Sequence, residues 1–238
     1  MVKKWFCLLF LAGSMLFAAE PEGKVWLIRH GQRCPVLAPD FDPPLTAAGR
    51  KQALLAAGYL KKMKFRGKIY ASPYRRTLET ASIIAETLDL PIQAAPFLQE
   101  FVRFPGVHPV RERTLAELKK EFPRLVSTPE LSRNWAIRNR ETLDTVRERF
   151  RAGLDELSLA GGQEVLLVTH GAVLKAAHML ATGCAASGPW KKTNWNCCLS
   201  MYEFSPASPP RVRLFFEVGF LPEELITSND RKKTAETP

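Results

Sequence analysis

Two short stretches of this sequence pair a histidine with a glycine, Arg29-His30-Gly31 and Thr169-His170-Gly171, and each closes a run of apolar residues. Between them, Ser72-Pro73 is followed closely by the adjacent arginines Arg75 and Arg76. An imidazole can attack phosphorus when one ring nitrogen is unprotonated and the other is held as a donor. A guanidinium suits phosphate because its planar fork meets two oxygens at once. An arginine in the first turn of a helix gains nothing from the helix dipole unless an anion is present. Alone, one such stretch is a strand end that happens to carry two polar residues. Its recurrence, with the arginine pair between, points to a phosphoryl group as the reacting centre.

The elements that must position these residues follow from periodicity. Val25 to Ile28 and Glu164 to Thr169 are apolar, β-favouring runs that end at the histidines, which predicts two buried strands. Ligands of open α/β sheets bind beyond the carboxyl ends of the strands, where both histidines fall. Leu45-Thr46 predicts a helix start with Thr46 as N-cap, and Ala47, Leu54, Leu55, Ala57 and Leu60 as its buried face. Lys68-Ile69-Tyr70 is a short strand. Ser72 as N-cap and Pro73 at the first helical position predict the arginine helix, with Thr77, Thr80, Ala81, Ile84 and Leu88 at helical spacing. Leu90 to Glu100 holds another short strand. Thr142 to Leu159 is amphipathic, with Leu143, Val146, Phe150, Leu154 and Leu157 inward, and Ala172 to Ala181 is a further helix. Cys198 to Phe204 and Arg211 to Val218 read as late strands.

Strands alternating with helices predict a single-domain, three-layer α/β/α sandwich with a mostly parallel central sheet. Residues 20–228 form that domain. About 101–140, irregular but with a helix around Thr114 to Phe122, is a small helical insertion that covers the site. The tail at 229–238 is polar.

Composition narrows the partners. The net charge of +10 across 238 residues is scattered through amphipathic segments, with no aromatic-interleaved basic stripe. That excludes an evident nucleic-acid module and fits attraction for anionic small molecules. Lys3 and Lys4 followed by the apolar run Trp5 to Phe17 predict a signal peptide at 1–19, hence an exported, periplasmic or extracellular protein. The run is too short for a comfortable membrane span, so no stable span is expected unless the leader is retained as an anchor. Cys34, Cys184, Cys197 and Cys198 leave disulfide pairing open, and no cysteine or histidine spacing matches a zinc site.

Four stretches together resemble the histidine phosphatase, or phosphoglycerate mutase-like, superfamily. Arg29-His30-Gly31 is similar to its catalytic tripeptide, and Leu45-Thr46-Ala47-Ala48-Gly49-Arg50-Lys51-Gln52-Ala53 to its LTxxGxxQA helix start. The segment from Ser72 to Ala81 resembles SPxxRAxxTA, with Thr77 and Glu79 in place of the usual Ala and Gln. Val168-Thr169-His170-Gly171 matches the distal motif. The likeness spans roughly residues 24–204. Residues 29–35 also fit RHGxRxP of the acid phosphatase branch, yet that branch follows its distal histidine with aspartate, where this chain has Gly171. In the compact branch the proton donor is a glutamate beyond the arginine helix, where Glu100 lies.

The resemblance implies a phosphatase that hydrolyses phosphomonoesters through a phosphohistidine, with no metal and no cofactor. His30 is the expected nucleophile and Glu100 the general acid and base. Arg29, Arg76 and His170 are expected to stabilise the phosphoryl oxygens, with Arg33, Gln32 and His108 as further substrate contacts. The partner is a small-molecule phosphomonoester. The alternatives are a mutase-type phosphotransferase and an inactive phospho-ligand binder.

Overall fold

The computed structural model describes residues 23–35, 42–102, 113–126, 135–137, 139–157, 159, 162–185, 195–205 and 208–228. The expected leader, residues 103–112, 127–134 and 138 of the insertion (His108 among them), and the polar tail lie outside them.

The chain runs β1 (Gly23–Arg29), α1 (Ala47–Lys62), β2 (Lys68–Ala71), α2 (Arg75–Leu88), β3 (Ile92–Ala94) and a 3-10 turn at Pro96–Leu98. It continues through α3 (Leu115–Glu121), α4 (Leu143–Glu156), β4 (Gln163–Thr169), α5 (Gly171–Thr182), β5 (Leu199–Ser205) and β6 (Ser208–Glu217). One six-stranded sheet has the order β3-β2-β4-β1-β5-β6. Its first four strands are parallel, and the last two join antiparallel. A short connection cannot cross over the sheet, so β6 returns beside β5 as a hairpin. The sheet is mostly parallel as expected, with an antiparallel edge at β5 and β6 that makes it mixed.

Alternation along β1 explains the layers. Trp26 and Ile28 pack with α1 and α2 on one face, while Val25 and Leu27 pack with α4 and α5 on the other. A strand buried on both faces reads as a continuous apolar run, which is why β1 and β4 show no polar alternation. The described part of the insertion joins the first of these cores through Leu118, Phe122, Leu125 and Trp135.

Three sequence readings change. The inward stripe of α1 is Gly49, Gln52, Ala53, Ala56, Ala57 and Leu60, whereas Ala47 is exposed and Leu54 is 56% exposed. The rotation is set by a backbone contact: a Cβ on Gly49 would lie 2.1 Å from the Gln32 carbonyl oxygen, and one on Gly31 would lie 2.5 Å from that of Gly49. Only glycine at both positions lets the α1 N-terminus sit on the loop after β1. Second, α2 begins at Arg75 with Tyr74 as N-cap. Ser72 stays extended, its N–H donating to the Val168 carbonyl at 3.0 Å, because its hydroxyl is engaged elsewhere. Helix α4 also ends at Glu156, short of the expected Leu159.

Candidate active site

Every catalytic candidate among the described residues lies at the carboxyl edge of the parallel strands. Arg29 is the last residue of β1 and His30 follows it. His170 follows β4 and is the N-cap of α5. β1 and β4 are neighbours with Arg29 opposite Thr169, and the His30 N–H donates to the Thr169 carbonyl at 3.0 Å. In-register parallel pairing thus sets the two imidazoles side by side, with ring centroids 5.3 Å apart. Arg76 comes from the first turn of α2, after β2. Glu100 comes from the segment after β3 and its 3-10 turn.

His30 is buried. Its Nδ1 lies 2.8 Å from the Gly31 carbonyl oxygen. A carbonyl only accepts, so Nδ1 carries the proton and Nε2 keeps the lone pair. Burial, then the charges of Arg76 and Arg29, hold the His30 pKa well below the usual histidine value. The ring is a neutral base with its free nitrogen fixed. The His30 carbonyl is held in turn by the Asn196 side-chain amide and the Cys197 N–H, each at 3.3 Å.

His170 is the mirror case. Arg76 Nη2 lies 3.1 Å from its Nδ1, and a guanidinium only donates, so Nδ1 accepts. Its Nε2–H then donates to Ser72 Oγ at 2.9 Å. This is the hydroxyl that sequence reasoning assigned to capping α2. Burial, then Arg76, then His30 push the His170 pKa well below its ordinary value. Tyr74 packs edge-on to the His170 ring at 5.0 Å and under the Arg76 guanidinium at 4.8 Å.

The arginines have donors to spare. Among the described residues, Arg29 Nε and Nη1 and Arg76 Nε are buried side-chain donors that no protein group accepts. Buried polar groups are almost always paired, and each unpaired one is costly. Asp42 accepts from Arg76 Nη1 at 3.4 Å and from the Arg75 N–H at 2.7 Å. It fixes Arg76 without occupying the whole fork. Arg75 itself turns outward to Glu121 at 2.7 Å, so one of the pair serves the site. Donors left over in this way have the chemistry to receive an anion with several oxygens.

Arg33 is half-buried and donates to the Cys34 carbonyl at 3.1 Å. Burial, then Arg76 and Arg29, pull its pKa down, and Glu100 opposes them. Arg33 therefore belongs to the same charge cluster. Gln32 is partly committed, since its Oε1 accepts from the Thr46 hydroxyl at 2.8 Å. Glu100 Oε1 accepts from the Phe101 N–H at 2.9 Å, and Oε2 lies 4.0 Å from His170 Nδ1. Glu79 accepts from the Leu45 N–H at 2.7 Å and pairs with Arg50. His178 stacks on Phe215 at 4.1 Å, away from these groups.

Sequence reasoning missed Ser72, Tyr74 and Asn196 as supports of the site. Only Ser72 left a signal, a hydroxyl just past a strand end. Among the described residues no three His, Cys, Asp or Glu side chains cluster as metal ligands, the cysteines are free thiols, and no helix is long and apolar enough to cross a membrane.

The profile of the histidine phosphatase superfamily (branch 1) matches residues 25–216. The uncharacterized phosphatase PhoE of Bacillus subtilis is 32% identical over 193 residues, 76% of this chain and 88% of that protein. A probable phosphoglycerate mutase, GpmB of Yersinia enterocolitica, is 30% identical over 188 residues, 76% of this chain and 85% of its own. Among solved structures, a mycobacterial glucosyl-3-phosphoglycerate phosphatase shares the fold with a TM-score of 0.59 at 22% identity, covering 81% of this chain and 98% of the other.

Proposed function

The chain belongs to the histidine phosphatase superfamily, branch 1, and from that premise we propose that it hydrolyses phosphomonoesters through a phosphohistidine on His30. One observation carries the reading: a neutral imidazole protonated on Nδ1 lies among buried guanidinium donors that no group among the described residues accepts.

The phosphoryl group seats on Arg29 and Arg76, with Arg33 as an extra donor. His30 Nε2 attacks phosphorus as the P–O bond to the leaving oxygen breaks. A proton from the Glu100 carboxyl goes to that oxygen. Charge on the equatorial oxygens is met by donors already in place, which is where most of the rate enhancement arises. A dianion between Arg76 and His170 also favours protonation of His170 Nδ1, turning an acceptor into a donor. In the second half, the Glu100 carboxylate takes a proton from water. That water attacks phosphorus and releases phosphate and the neutral imidazole.

Metal independence, and export directed by the leader, belong to the same proposal. The test is a phosphate-release screen over a phosphomonoester panel with purified protein, with and without EDTA, beside a coupled assay for phosphate moved between hydroxyls. Release that survives EDTA and is blocked by vanadate is expected. Transfer between hydroxyls without net release would establish a mutase instead.

A further inference from the structure

The general acid sits on a segment with no regular structure of its own. Gln99, Glu100, Phe101 and Val102 follow the 3-10 turn and lead into the insertion. Their placement depends on what holds the backbone on either side of Glu100.

That hold comes from one ion pair between Arg149 of α4 and Glu141, just before the helix. Arg149 Nε donates to Glu141 Oε1 at 2.9 Å and Nη2 to Glu141 Oε2 at 3.2 Å. The same guanidinium reaches across to the Phe97 carbonyl, and its Nη2 donates to the Gln99 carbonyl at 3.2 Å. Glu141 completes the ring: its Oε2 accepts from the Val102 N–H at 3.2 Å, and its own N–H donates to the Val102 carbonyl at 2.9 Å. Residues 97, 99 and 102 are thus tied to one pair of side chains, and Glu100 lies between the ties. The pair is well buried, with side chains 16% and 7% exposed. Close packing brings α4 to this position. A Cβ on Gly153 would lie 2.2 Å from the Phe97 ring, so glycine there seats α4 directly on the 3-10 turn.

We propose that Arg149, held by Glu141, is a positioning residue that fixes the Glu100 carboxyl at the leaving-group side of the phosphoryl site. The proposal rests on Glu100 being the acid. Arg149 touches no reacting atom. Its charge does reach the site, since it is among the groups that lower the His170 pKa. The buried Glu141 carboxylate has both oxygens paired, by the Arg149 guanidinium and the Val102 N–H, and removing one partner strands the other. The chain segments that enter and leave the insertion are joined within this clamp at Val102 and Glu141. Thr169 Oγ1, donating to the Leu98 carbonyl at 2.7 Å, ties the same turn to β4 beside His170. The acid and the second histidine are therefore referenced to one another through the frame.

The test compares Glu100→Gln, Arg149→Met and the double variant on glycerol phosphate and p-nitrophenyl phosphate. The alkoxide of the first needs a proton as it leaves, and the nitrophenolate of the second scarcely does. Misplacing a catalytic group by about 1 Å costs on the order of 10²-fold. Arg149→Met should therefore lower kcat on glycerol phosphate by roughly 10- to 100-fold with KM little changed, and p-nitrophenyl phosphate hydrolysis far less. The double variant should be no worse than Glu100→Gln alone. Equal losses on both esters, a loss confined to KM, or additive losses in the double variant would overturn the clamp while leaving Glu100 as the acid. If Glu100→Gln itself shows no preference between the esters, the acid assignment fails and the clamp with it. Should Arg149→Met not fold, Glu141→Gln keeps the shape, removes the charge, and is expected to give the same leaving-group-selective loss. Its absence in a folded Glu141→Gln protein would equally overturn the clamp.

Discussion

The chemistry at residue scale comes down to which nitrogen of His30 holds the proton. The Gly31 carbonyl accepts a hydrogen bond from Nδ1–H, and burial among arginines keeps a second proton off the ring. An unperturbed histidine is mostly charged at about pH 6, being half-protonated near 6.5. His30 should instead stay neutral there, as the Nδ1–H tautomer. Nitrogen-15 chemical shifts of the imidazoles at that pH check this directly. An imidazolium signal, or the Nε2–H tautomer, would remove the lone pair from the attacking position. His170 shows how the same residue type is set the other way: its Nε2–H donates to Ser72 Oγ and Arg76 faces its Nδ1. Both histidines, Arg29 and Arg76 were legible in the sequence, because each ends a strand or opens a helix within a recognisable stretch. Asn196 and Arg149 were not, and Ser72 showed only as a hydroxyl just past a strand end. Their partners are distant in the chain, and no local periodicity records a hydrogen bond across the sheet edge.

At the scale of elements, the loop after β1 and the N-terminus of α1 act as one unit. The Thr46 N–H donates to the Gln32 carbonyl at 2.9 Å, the Gln32 N–H donates to Gln52 Oε1 at 2.8 Å, and the Gly31 N–H donates to Thr80 Oγ1 at 3.0 Å. The unit depends on the close approach of Gly31 and Gly49. Gly49→Ala is expected to push the loop off α1, since the new methyl meets backbone rather than a yielding side chain. A loss of about 1–3 kcal/mol in urea unfolding, with a fall in kcat as His30 shifts, is the expected outcome. A variant as stable and active as the parent would show that the contact does not position His30. The helices themselves followed from apolar spacing, but the rotation of α1 did not. Leu54 outranks Ala53 as a hydrophobe, yet Ala53 is inside, because the glycine contact and the small residues of α1 decide which face can approach. The capping of α2 was misread for a similar reason. A serine before a proline is a good local cap, and the pull of His170 on its hydroxyl is a tertiary effect.

For the molecule as a whole, the parallel strands gather cationic and imidazole groups at one edge and leave the fold to carry the electrostatic cost. That cost has a pH signature. His30 and His170 both have folded-state pKa values well below the ordinary value. Between the lowered and the ordinary value the unfolded chain binds more protons than the folded one. Stability is therefore fully present above about 6.5 and falls as pH drops below it, by up to roughly 1.4 kcal/mol per pH unit for each histidine. Urea unfolding at about pH 7.5 and about pH 5.5 should show the decline, and His170→Gln should reduce its slope. A flat or opposite dependence would mean the rings are not buried neutral. The layer order and the strand ends that form the site were legible from alternating strands and helices. The mixed character of the sheet became clear only with the pairing of β5 and β6, since sequence periodicity does not state strand direction. What the assembled edge is for is most directly read by trapping the reaction midway. Rapid acid-free quenching during turnover, followed by peptide mass spectrometry, should find a phosphoryl group on His30 that is stable in base and lost in acid. The adduct should be absent from His30→Ala. Turnover with no phosphoenzyme, or an adduct on a residue other than His30, would contradict the proposed mechanism.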